Sequence, residues 1–419
     1  MTNAIVSPKI MHSGIAAAML VLWLTSGGVS VSAQSTFGSV VGVVQDKTQA
    51  VVPGASVTIH RLEDNSTRSA TSDQNGSFEF LNLKPGTYAL SAQADGFSEF
   101  QIPSAELTSR QTLRIDITLA IKSQSQSVEV ADIVAVINTE NAMISDSKNN
   151  QQITQLPLNN RATTTSPLAA LSISPNVQQD SSGNIALGGA SSAMVNFSVD
   201  GISTANVRQN GALQDAYPSQ EGISALRVTS FNNSAEFSQV GDVTFTTKSG
   251  TSQYHGSLFE YLQNDALDAD PYGFSGKSPK HFNTFGGSLG GPVSIPYLYD
   301  AKDKTFFFFD YEGNRRSTAV AQQFLVPTQA ERSGDLTALG VTTPITNINP
   351  TATALLSYYP LPNVIGQSNY NYENFQSTPA RTDGADVRLD HTINSKQSVY
   401  ARFSRKNITE DYANPPIAG

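Results

Sequence analysis

Short hydrophobic runs separated by turn residues characterise the chain from Ser35 to about Ile121. Apolar and polar positions alternate there, and Asp-Lys, Pro-Gly, Asn-Gly and Asp-Gly breaks recur about every 8 to 12 residues. A period of two indicates strands with one buried face, and regularly spaced turns are typical of a β-sandwich. We therefore expect an all-β domain over residues 34–121, in which Gly76 and Gly86 supply positive φ at turns.

Longer amphipathic strands are predicted from Tyr254 onward. In "GADVRLDHTINSKQSVYARFSRKNITED" the apolar positions alternate with Asp386, Arg388 and Asp390, and a second strand follows the turn "NSK". A transmembrane β-barrel needs strands of about ten residues with one apolar and one polar face. A soluble, half-buried sheet would show the same alternation, so this pattern alone leaves both structures open.

Four consecutive phenylalanines, in "AKDKTFFFFDYEGNRR", lie between two charged runs. Alternation along a strand places Phe306 and Phe308 on one face and Phe307 and Phe309 on the other. Only one pair could then face lipid. We expect the other pair to pack inward, on a neighbouring strand or domain.

The N-terminus has the pattern of an export signal. Lys9 precedes the apolar stretch "GIAAAMLVLWL", and the small residues "VSA" stand before Gln34 as a cleavage site. A short membrane anchor is the alternative, although a spanning helix needs about 20 apolar residues. Residues 1–33 are therefore predicted to be a cleaved signal peptide.

Composition excludes several classes of function. The chain has 419 residues, enough for several domains, and a net charge of −9 without a cluster of Lys and Arg, which argues against a nucleic-acid partner. It has no cysteine and only five histidines, so neither disulfides nor a Cys- or His-rich metal site are expected. We predict no cofactor.

The motif "GGSLG", residues 286–290, fits the G-x-S-x-G nucleophile elbow of hydrolases, with Ser288 as nucleophile. That elbow requires a helix after the serine, whereas Pro292 and "VSIPYLYD" predict none. His391 is the only downstream histidine. We therefore expect no enzyme, and we expect the glycines to permit a tight strand bend or close packing.

Two stretches of the N-terminal domain resemble a known family. "GVVQDKTQAVVPGASVTI" and "SDQNGSFEFLNLKPGTYALSAQADGF" are similar to the carboxypeptidase regulatory-like domain, an Ig-like β-sandwich of the carbohydrate-binding-like class. Such modules often serve as structural adapters. The resemblance leaves a sugar-binding role open.

A second resemblance covers the rest of the chain. "QLPLNNR", "LAALSISPNV", "GGASSAMVNFSVDGIS" and "FGGSLGGPVSIPYLYDAKDKTFFFFDYEGNRR" follow, in order, the blocks of the Oar-like branch of TonB-dependent outer-membrane receptors. The resemblance implies a linker and a small mixed α/β plug over 122–253. Within it, the Asp-Gly pair at Asp200 and Gly201 between apolar strands predicts a hairpin turn. The resemblance also implies the first strands of an antiparallel transmembrane β-barrel over 254–419, with a long extracellular loop between strands.

The length of the last region predicts an incomplete barrel. About 165 residues follow Tyr254, enough for roughly 6 to 8 strands, whereas plugged outer-membrane transporters close with about 22. We therefore expect the chain to be truncated within the barrel, either as a fragment or as a natural product.

An extended segment follows the Ser- and Gln-rich stretch "IKSQSQS". By the resemblance, this segment pairs as a strand with a periplasmic TonB-type energy-coupling protein, through backbone hydrogen bonds. An ordinary plug strand is the alternative. The candidate contact residues are Ser127, Val128, Glu129, Val130 and Ala131.

The predicted fold class is thus mainly β: an Ig-like sandwich, a small mixed α/β plug and the first strands of a barrel. The predicted function is energy-coupled uptake of an unidentified solute, possibly a carbohydrate, across the lipid of the outer membrane of a Gram-negative bacterium. The alternative is a cell-surface module that binds carbohydrate or protein without transport.

Overall fold

The computed structural model describes residues 36–122, 129–130, 140–155, 167–179, 184–206, 208, 211–213, 216–233, 239–269, 279–295, 299–300, 304–366, 368–394 and 397–411. Strands dominate this part of the chain, as the sequence predicts. Its helices are all too short or too polar to cross a membrane. The predicted signal peptide lies outside the described residues, so its cleavage stays a prediction.

Eight strands form an N-terminal β-sandwich. One sheet has the order β4-β1-β7, with β8 also paired to β1, and the other contains β3-β2-β5-β6. Alternate side chains of both sheets, including Val40, Ile59 and Phe80, point into a common apolar core. The predicted sandwich is confirmed. Its strands are β1 (Gly38–Asp46), β2 (Ser56–Arg61), β3 (Thr67–Thr71), β4 (Ser77–Leu83), β5 (Gly86–Gln93), β6 (Phe100–Leu107), β7 (Thr112–Arg114) and β8 (Ile117–Leu119).

Two glycines of the sandwich have the backbone conformation that the sequence predicts. Gly76 has φ +72° and Gly86 has φ +152°. A Cβ at Gly76 would lie 2.6 Å from the carbonyl oxygen of Val44. Position 76 therefore excludes other residues by contact as well as by φ.

A mixed five-stranded sheet follows, in the order β10-β15-β16-β13-β14, with β13 and β16 parallel. One face is apolar and packs on short helical segments, which contribute Ile153 and Leu171 to the core. We refer to this unit as the mixed-sheet domain. Its elements are β10 (Ile144–Asn149), a helix (Asn150–Gln155), 3-10 helices (Pro167–Ile173 and Ser192–Met194), β11 (Val177–Gln179), β12 (Ile185–Leu187), β13 (Val195–Val199), β14 (Ile202–Ser203), β15 (Ile223–Phe231) and β16 (Gly241–Thr247).

Five long antiparallel strands form the third sheet, in the order β17-β18-β21-β22-β23. In the described residues this sheet is open, with β17 and β23 at its edges. The strands are β17 (His255–Asn264), β18 (Lys280–Pro292), β21 (Thr305–Phe324), β22 (Tyr372–Asn394) and β23 (Gln397–Glu410), and a separate short pair is β19 (Ser294–Ile295) with β20 (Tyr299–Asp300).

The two faces of this long-strand sheet differ as the alternation predicts. Phe306 and Phe308 are each 3% exposed, whereas Phe309 is 39% exposed. The inward face also carries buried carboxylates, while the opposite face exposes apolar side chains. The exposed set includes Leu289, Phe309, Val387, Leu389, Val399 and Phe403.

A long connection between β21 and β22 is held by its own hydrogen bonds. It contains helices at Gln329–Arg332 and Pro350–Leu356 and a 3-10 helix at Thr337–Leu339; a further 3-10 helix, Asp265–Leu267, follows β17. The guanidinium of Arg332 donates to the carbonyl oxygens of Leu356 and Tyr359, each at 2.9 Å. One side chain thus ties the two helices of the connection together.

The opposed phenylalanines provide a test of which face meets lipid. We expect brominated lipid to quench the fluorescence of Phe309→Trp strongly and that of Phe308→Trp weakly, because bromine quenches only rings that it can contact. The only tryptophan of the sequence, Trp23, lies in the predicted signal peptide, so after cleavage the introduced ring is the only tryptophan of either variant. Equal quenching of the two variants in vesicles would contradict the assignment of faces.

Candidate functional site: the polar contacts between domains

The turn between β13 and β14 brings a carboxylate to the edge of the mixed-sheet domain. Asp200 and Gly201 have φ +51° and +81°, and the pair Val199 and Ile202 closes the hairpin. Positive φ at both central residues is the conformation of a two-residue hairpin turn whose twist matches the strands. The predicted hairpin at Asp200 and Gly201 is confirmed.

The carboxylate of Asp200 connects the mixed-sheet domain to the long-strand sheet. It accepts hydrogen bonds from the backbone N–H of Thr247 at 2.9 Å and from its hydroxyl at 2.7 Å. It also lies 3.5 Å from Nη1 of Arg388 and 3.6 Å from Nε of Arg402. Asp200 is only 8% exposed, so these cations compensate a carboxylate that has lost most of its water.

Arg388 is fixed from several sides on the inward face of β22. It forms two parallel hydrogen bonds with Asp390, at 2.8 and 2.9 Å, and a third with the Thr247 hydroxyl at 2.7 Å. Its guanidinium lies 4.5 Å from the ring centroid of Tyr400 on β23. Paired hydrogen bonds and ring stacking suit the planar guanidinium and would not suit a lysine. We refer to Asp200, Arg388, Asp390 and Arg402 as the charged cluster.

A second contact between the mixed-sheet domain and the long-strand sheet lies two residue pairs from Arg388 along β21 and β22. Asp310 of β21 is 1% exposed and accepts a short hydrogen bond from the Ser219 hydroxyl of the mixed-sheet domain. A Cβ at Gly222 would lie 2.8 Å from Oδ1 of Asp310, so the backbone approaches the carboxylate closely there. In β22, Asp386 is paired with Asp310 in register and accepts from Ser404. Two carboxylates placed opposite each other repel, which makes this contact costly to maintain.

Lys248 gives this region a half-buried cation. Its Nζ lies 3.4 Å from Oε2 of Glu221, which also accepts from Ser257 of β17 at 3.3 Å. Burial lowers the pKa of Lys248, and the charge of Glu221 opposes that shift. The ammonium therefore depends on Glu221 for much of its stabilisation.

The turn from Thr108 to Gln111 brings the sandwich into contact with the mixed-sheet domain. Arg110 forms a short ion pair with Asp242 of β16, which is fully buried, and donates to the Thr244 hydroxyl at 2.8 Å. Ser109 hydrogen-bonds Thr246 at 3.0 Å. The sandwich thus covers the polar face of the mixed sheet, opposite its apolar core.

Arg227 of β15 lies in the same interface. It donates to Thr108 at 3.2 Å and to Ser145 at 2.9 Å. Burial, followed by the positive charge of Arg110, lowers the pKa of Arg227 to about 10, while Asp242 acts in the opposite direction. Two cations thus depend on a single buried carboxylate, and its loss would leave both poorly compensated.

The three units enclose a cleft of about 740 Å³. Charged groups line it on every side, and several belong to the contacts above. Its lining includes Arg61, Asp64, Lys84, Lys248, Arg388 and Asp390. Burial lowers the pKa of Lys84, and the charge of Asp64 opposes this shift. Charged side chains from all three units therefore reach the cleft, next to apolar ones such as Phe306.

The predicted contact segment is only partly described. Ser127, Val128 and Ala131 lie outside the described residues, so their assignment stays a prediction. Glu129–Val130 form strand β9, which pairs with β6 of the sandwich and not with the mixed sheet.

Ser288 lies inside strand β18 and not between a strand and a helix. Its hydroxyl hydrogen-bonds that of Ser257 at 2.9 Å. A nucleophile elbow is therefore absent at this position. Within the part of the chain that the structure describes, no group of three or more His, Cys, Asp or Glu side chains could hold a metal ion.

Sequence reasoning identified one side of the main contact but not its partners. The alternation placed Asp386, Arg388 and Asp390 on one face, and the turn at Asp200 was recognised. Their meeting was not predicted. The available signal was the presence of several charges at inward strand positions in a chain with only 15% charged residues.

Comparison with family models matches two parts of the chain. Residues 39–120 match the carboxypeptidase regulatory-like domain, and residues 246–418 match the outer membrane beta barrel domain. The chain combines these two domains. The long-strand sheet, β17 to β23, lies within the barrel-domain match, which supports an outer-membrane location.

A curated relative agrees with this assignment. The TonB-dependent transporter Oar of Myxococcus xanthus is 24% identical over 310 residues, which cover 68% of this chain. The chain spans 28% of the length of that relative. The resemblance to the Oar-like branch, predicted from the sequence, is thereby supported along most of the chain.

Solved structures give much weaker similarity. A catechol 1,2-dioxygenase from Acinetobacter is 11% identical over 25% of this chain and 60% of its own, with a TM-score of 0.18. A cohesin–X-dockerin complex from Acetivibrio cellulolyticus is 21% identical over 20% of this chain and 58% of its own, with a TM-score of 0.17. Similarity at this level carries no structural or functional argument.

The ion pair of Arg110 and Asp242 is open to a direct test. In Asp242→Asn, we expect the amides of the turn from Thr108 to Gln111 to exchange hydrogen at least tenfold faster, since breaking a buried ion pair costs about 3–5 kcal/mol. Hydrogen-exchange mass spectrometry of the intact chain measures this.

The control for that experiment is Asp116→Asn, which removes the charge of an exposed carboxylate paired with Arg114 on the same sandwich and leaves the pair of Arg114 with Glu140 in place. Exposed pairs contribute little, so this variant should exchange like the wild type in the turn. Unchanged exchange in Asp242→Asn would show that the pair does not hold the sandwich in place.

The buried pair of Arg61 and Asp64 predicts acid sensitivity of the sandwich. Nη1 of Arg61 donates to Asp64 at 2.8 Å, and Ser66 adds two further hydrogen bonds. Burial alone would raise the pKa of Asp64, but the charge of Arg61 and the Ser66 contacts outweigh it, and the net pKa is lowered. A lowered carboxyl pKa stabilises the fold above the unfolded value of about 3.9, and that stability is lost as pH falls through the folded pKa.

Urea unfolding of the fragment 36–122, which has its own core, tests this between pH 7 and pH 2. We expect Asp64→Asn to be less stable at pH 7, by about 3 kcal/mol, and to lose less stability in acid than the wild type. Asp95→Asn, which alters an exposed carboxyl, should retain the wild-type pH profile. Parallel profiles for Asp64→Asn and wild type would contradict the prediction.

Proposed function

We propose that this chain is part of an energy-coupled outer-membrane transporter for a polar solute. In this proposal residues 1–33 are an export signal, 34–121 a sandwich on the periplasmic side, 122–253 the plug and 254–419 the first part of the barrel. The mixed-sheet domain is then the described part of the plug. Residues 325–371, the long connection, then face the outside.

The observation that carries the proposal is the charged cluster. Asp200 of the mixed-sheet domain meets Arg388 and Arg402 on the inward faces of β22 and β23. The partners are thus the domain that would fill the barrel and the wall that would surround it. This arrangement supports a plug seated against the inner barrel wall.

The polar chemistry of this contact suits a plug that must move. Water can replace the hydrogen bonds of Asp200 and Arg388 when they separate, so the net cost per bond is about 1.5–3 kcal/mol for these charged groups. An apolar interface would instead expose hydrophobic area, at about 25 cal/mol per Å². A polar contact therefore permits displacement while each domain keeps its own apolar core.

The energy for displacement would come from a periplasmic TonB-type partner that binds Ser127 to Ala131. Recognition by β-augmentation uses backbone groups and tolerates many side chains. The cleft, which charged side chains from all three units reach, would offer the solute a path past the displaced plug. The solute itself, carbohydrate or another polar compound, is not identified by any residue of the chain.

Deletion of residues 127–131 tests the coupling. We expect the deletion to reduce co-purification of the periplasmic domain of the source bacterium's TonB-type protein with the full chain by at least tenfold. The physical reason is that the deletion removes the backbone donors and acceptors to which the partner strand would bind. Pull-down from detergent solution measures the effect.

The matched control is Val130→Ala, which changes a side chain but keeps the backbone N–H and C=O. It should retain partner binding within about twofold, as expected for backbone recognition. Undiminished binding by the deletion variant would contradict coupling at this segment. It would favour the alternative of a surface-binding module without transport.

A further inference from the structure

The edge of the sandwich already holds part of the predicted contact segment. Strand β9, Glu129–Val130, pairs in parallel with β6, and the register places Phe100 beside Glu129 and Gln101 beside Val130. The sheet order becomes β3-β2-β5-β6-β9, so β9 is its outermost strand. This is β-augmentation within one chain, by the same kind of backbone contact that a partner strand would make.

The structure of β6 limits how far along it this pairing can extend. Its pairing with β5 is irregular between Leu90 and Tyr88, where Pro103 and Ser104 stand on the β6 side. Proline has no backbone N–H and cannot donate to a ladder. The regular part of β6 that β9 can use is therefore limited to its beginning.

Strand β6 also connects the segment to the mixed-sheet domain. Phe100 and Gln101, at its start, pair with β9. The turn from Thr108, directly after its end, carries Arg110, whose guanidinium pairs with Asp242. One strand thus bears both the contact with the segment and the contact with the proposed plug.

We propose that the β6 edge of the sandwich is a resting-state binding site for the segment around Glu129 and Val130, and that the TonB-type partner must displace it to engage this segment. The inference rests on the proposed function, because it concerns the same contact segment. The regulatory-like domain then acts as an intramolecular competitor of the partner. A ladder that Pro103 limits to the beginning of β6 can be replaced by a longer intermolecular ladder.

A cross-linking experiment tests the proposal, since the chain has no cysteine of its own. The double variant Gln101→Cys with Val130→Cys joins positions that are neighbours in register. The control Glu106→Cys with Val130→Cys moves one thiol five residues along β6, about 17 Å at about 3.4 Å per residue, beyond the reach of a disulfide. We expect mild oxidation of the full chain to cross-link the first variant at least fivefold more than the control.

Competition is measured by adding an excess of the purified periplasmic domain of the TonB-type protein before oxidation. We expect this domain to lower the cross-link yield of the in-register variant at least threefold. Equal yields in the in-register and control variants, without the partner, would overturn the β6 site.

Two further outcomes separate the inference from the proposed function. If the partner domain co-purifies with the reduced variant but leaves its cross-link yield unchanged, the partner adds to the outer side of β9 and the competition is overturned, while coupling stands. If the partner domain does not bind the reduced variant at all, the proposed function is contradicted, and the competition with it.

Discussion

The arrangement of domains depends on compensating the buried carboxylate of Asp200. A charge with so little water must lie next to cations, and Arg388 and Arg402 supply them from neighbouring strands. This requirement restricts both the mixed-sheet domain and the long-strand sheet. The hairpin turn must adopt positive φ to present Asp200, and β22 and β23 must keep the register that places both guanidinium groups on the inward face.

Apolar cores within the domains and polar contacts between them also characterise the other described parts of the chain. The sandwich and the mixed sheet each have a hydrophobic core. Their mutual contact instead depends on Arg110, Arg227 and Asp242. Hydrophobic cores hold each unit together as water is excluded, whereas hydrogen-bonded ion pairs specify orientation and can be exchanged for water. The molecule is therefore built from stable units joined by replaceable contacts.

The sequence predicts the local features well, for physical reasons. The alternation of apolar and polar positions predicts the face on which each of Phe306 to Phe309 lies. Positive-φ turns are predictable because Asp-Gly pairs and glycines tolerate that conformation. The contacts between the domains could not be predicted from the sequence. Arg388 and Asp200 are separated by 188 positions and Arg110 and Asp242 by 132, and no local pattern encodes which distant charges meet. The pairing of β9 with β6 could not be predicted either, because strand pairing through backbone hydrogen bonds requires no particular side chains.

The connection between β21 and β22 has a consequence for binding. Arg332 ties its two helices through carbonyl oxygens of Leu356 and Tyr359, and the Thr328 side chain and Glu331 cap the first helix reciprocally. A solute that contacts this connection would meet a surface that is already ordered. Association would then forfeit little conformational entropy, so a modest number of contacts could give useful affinity.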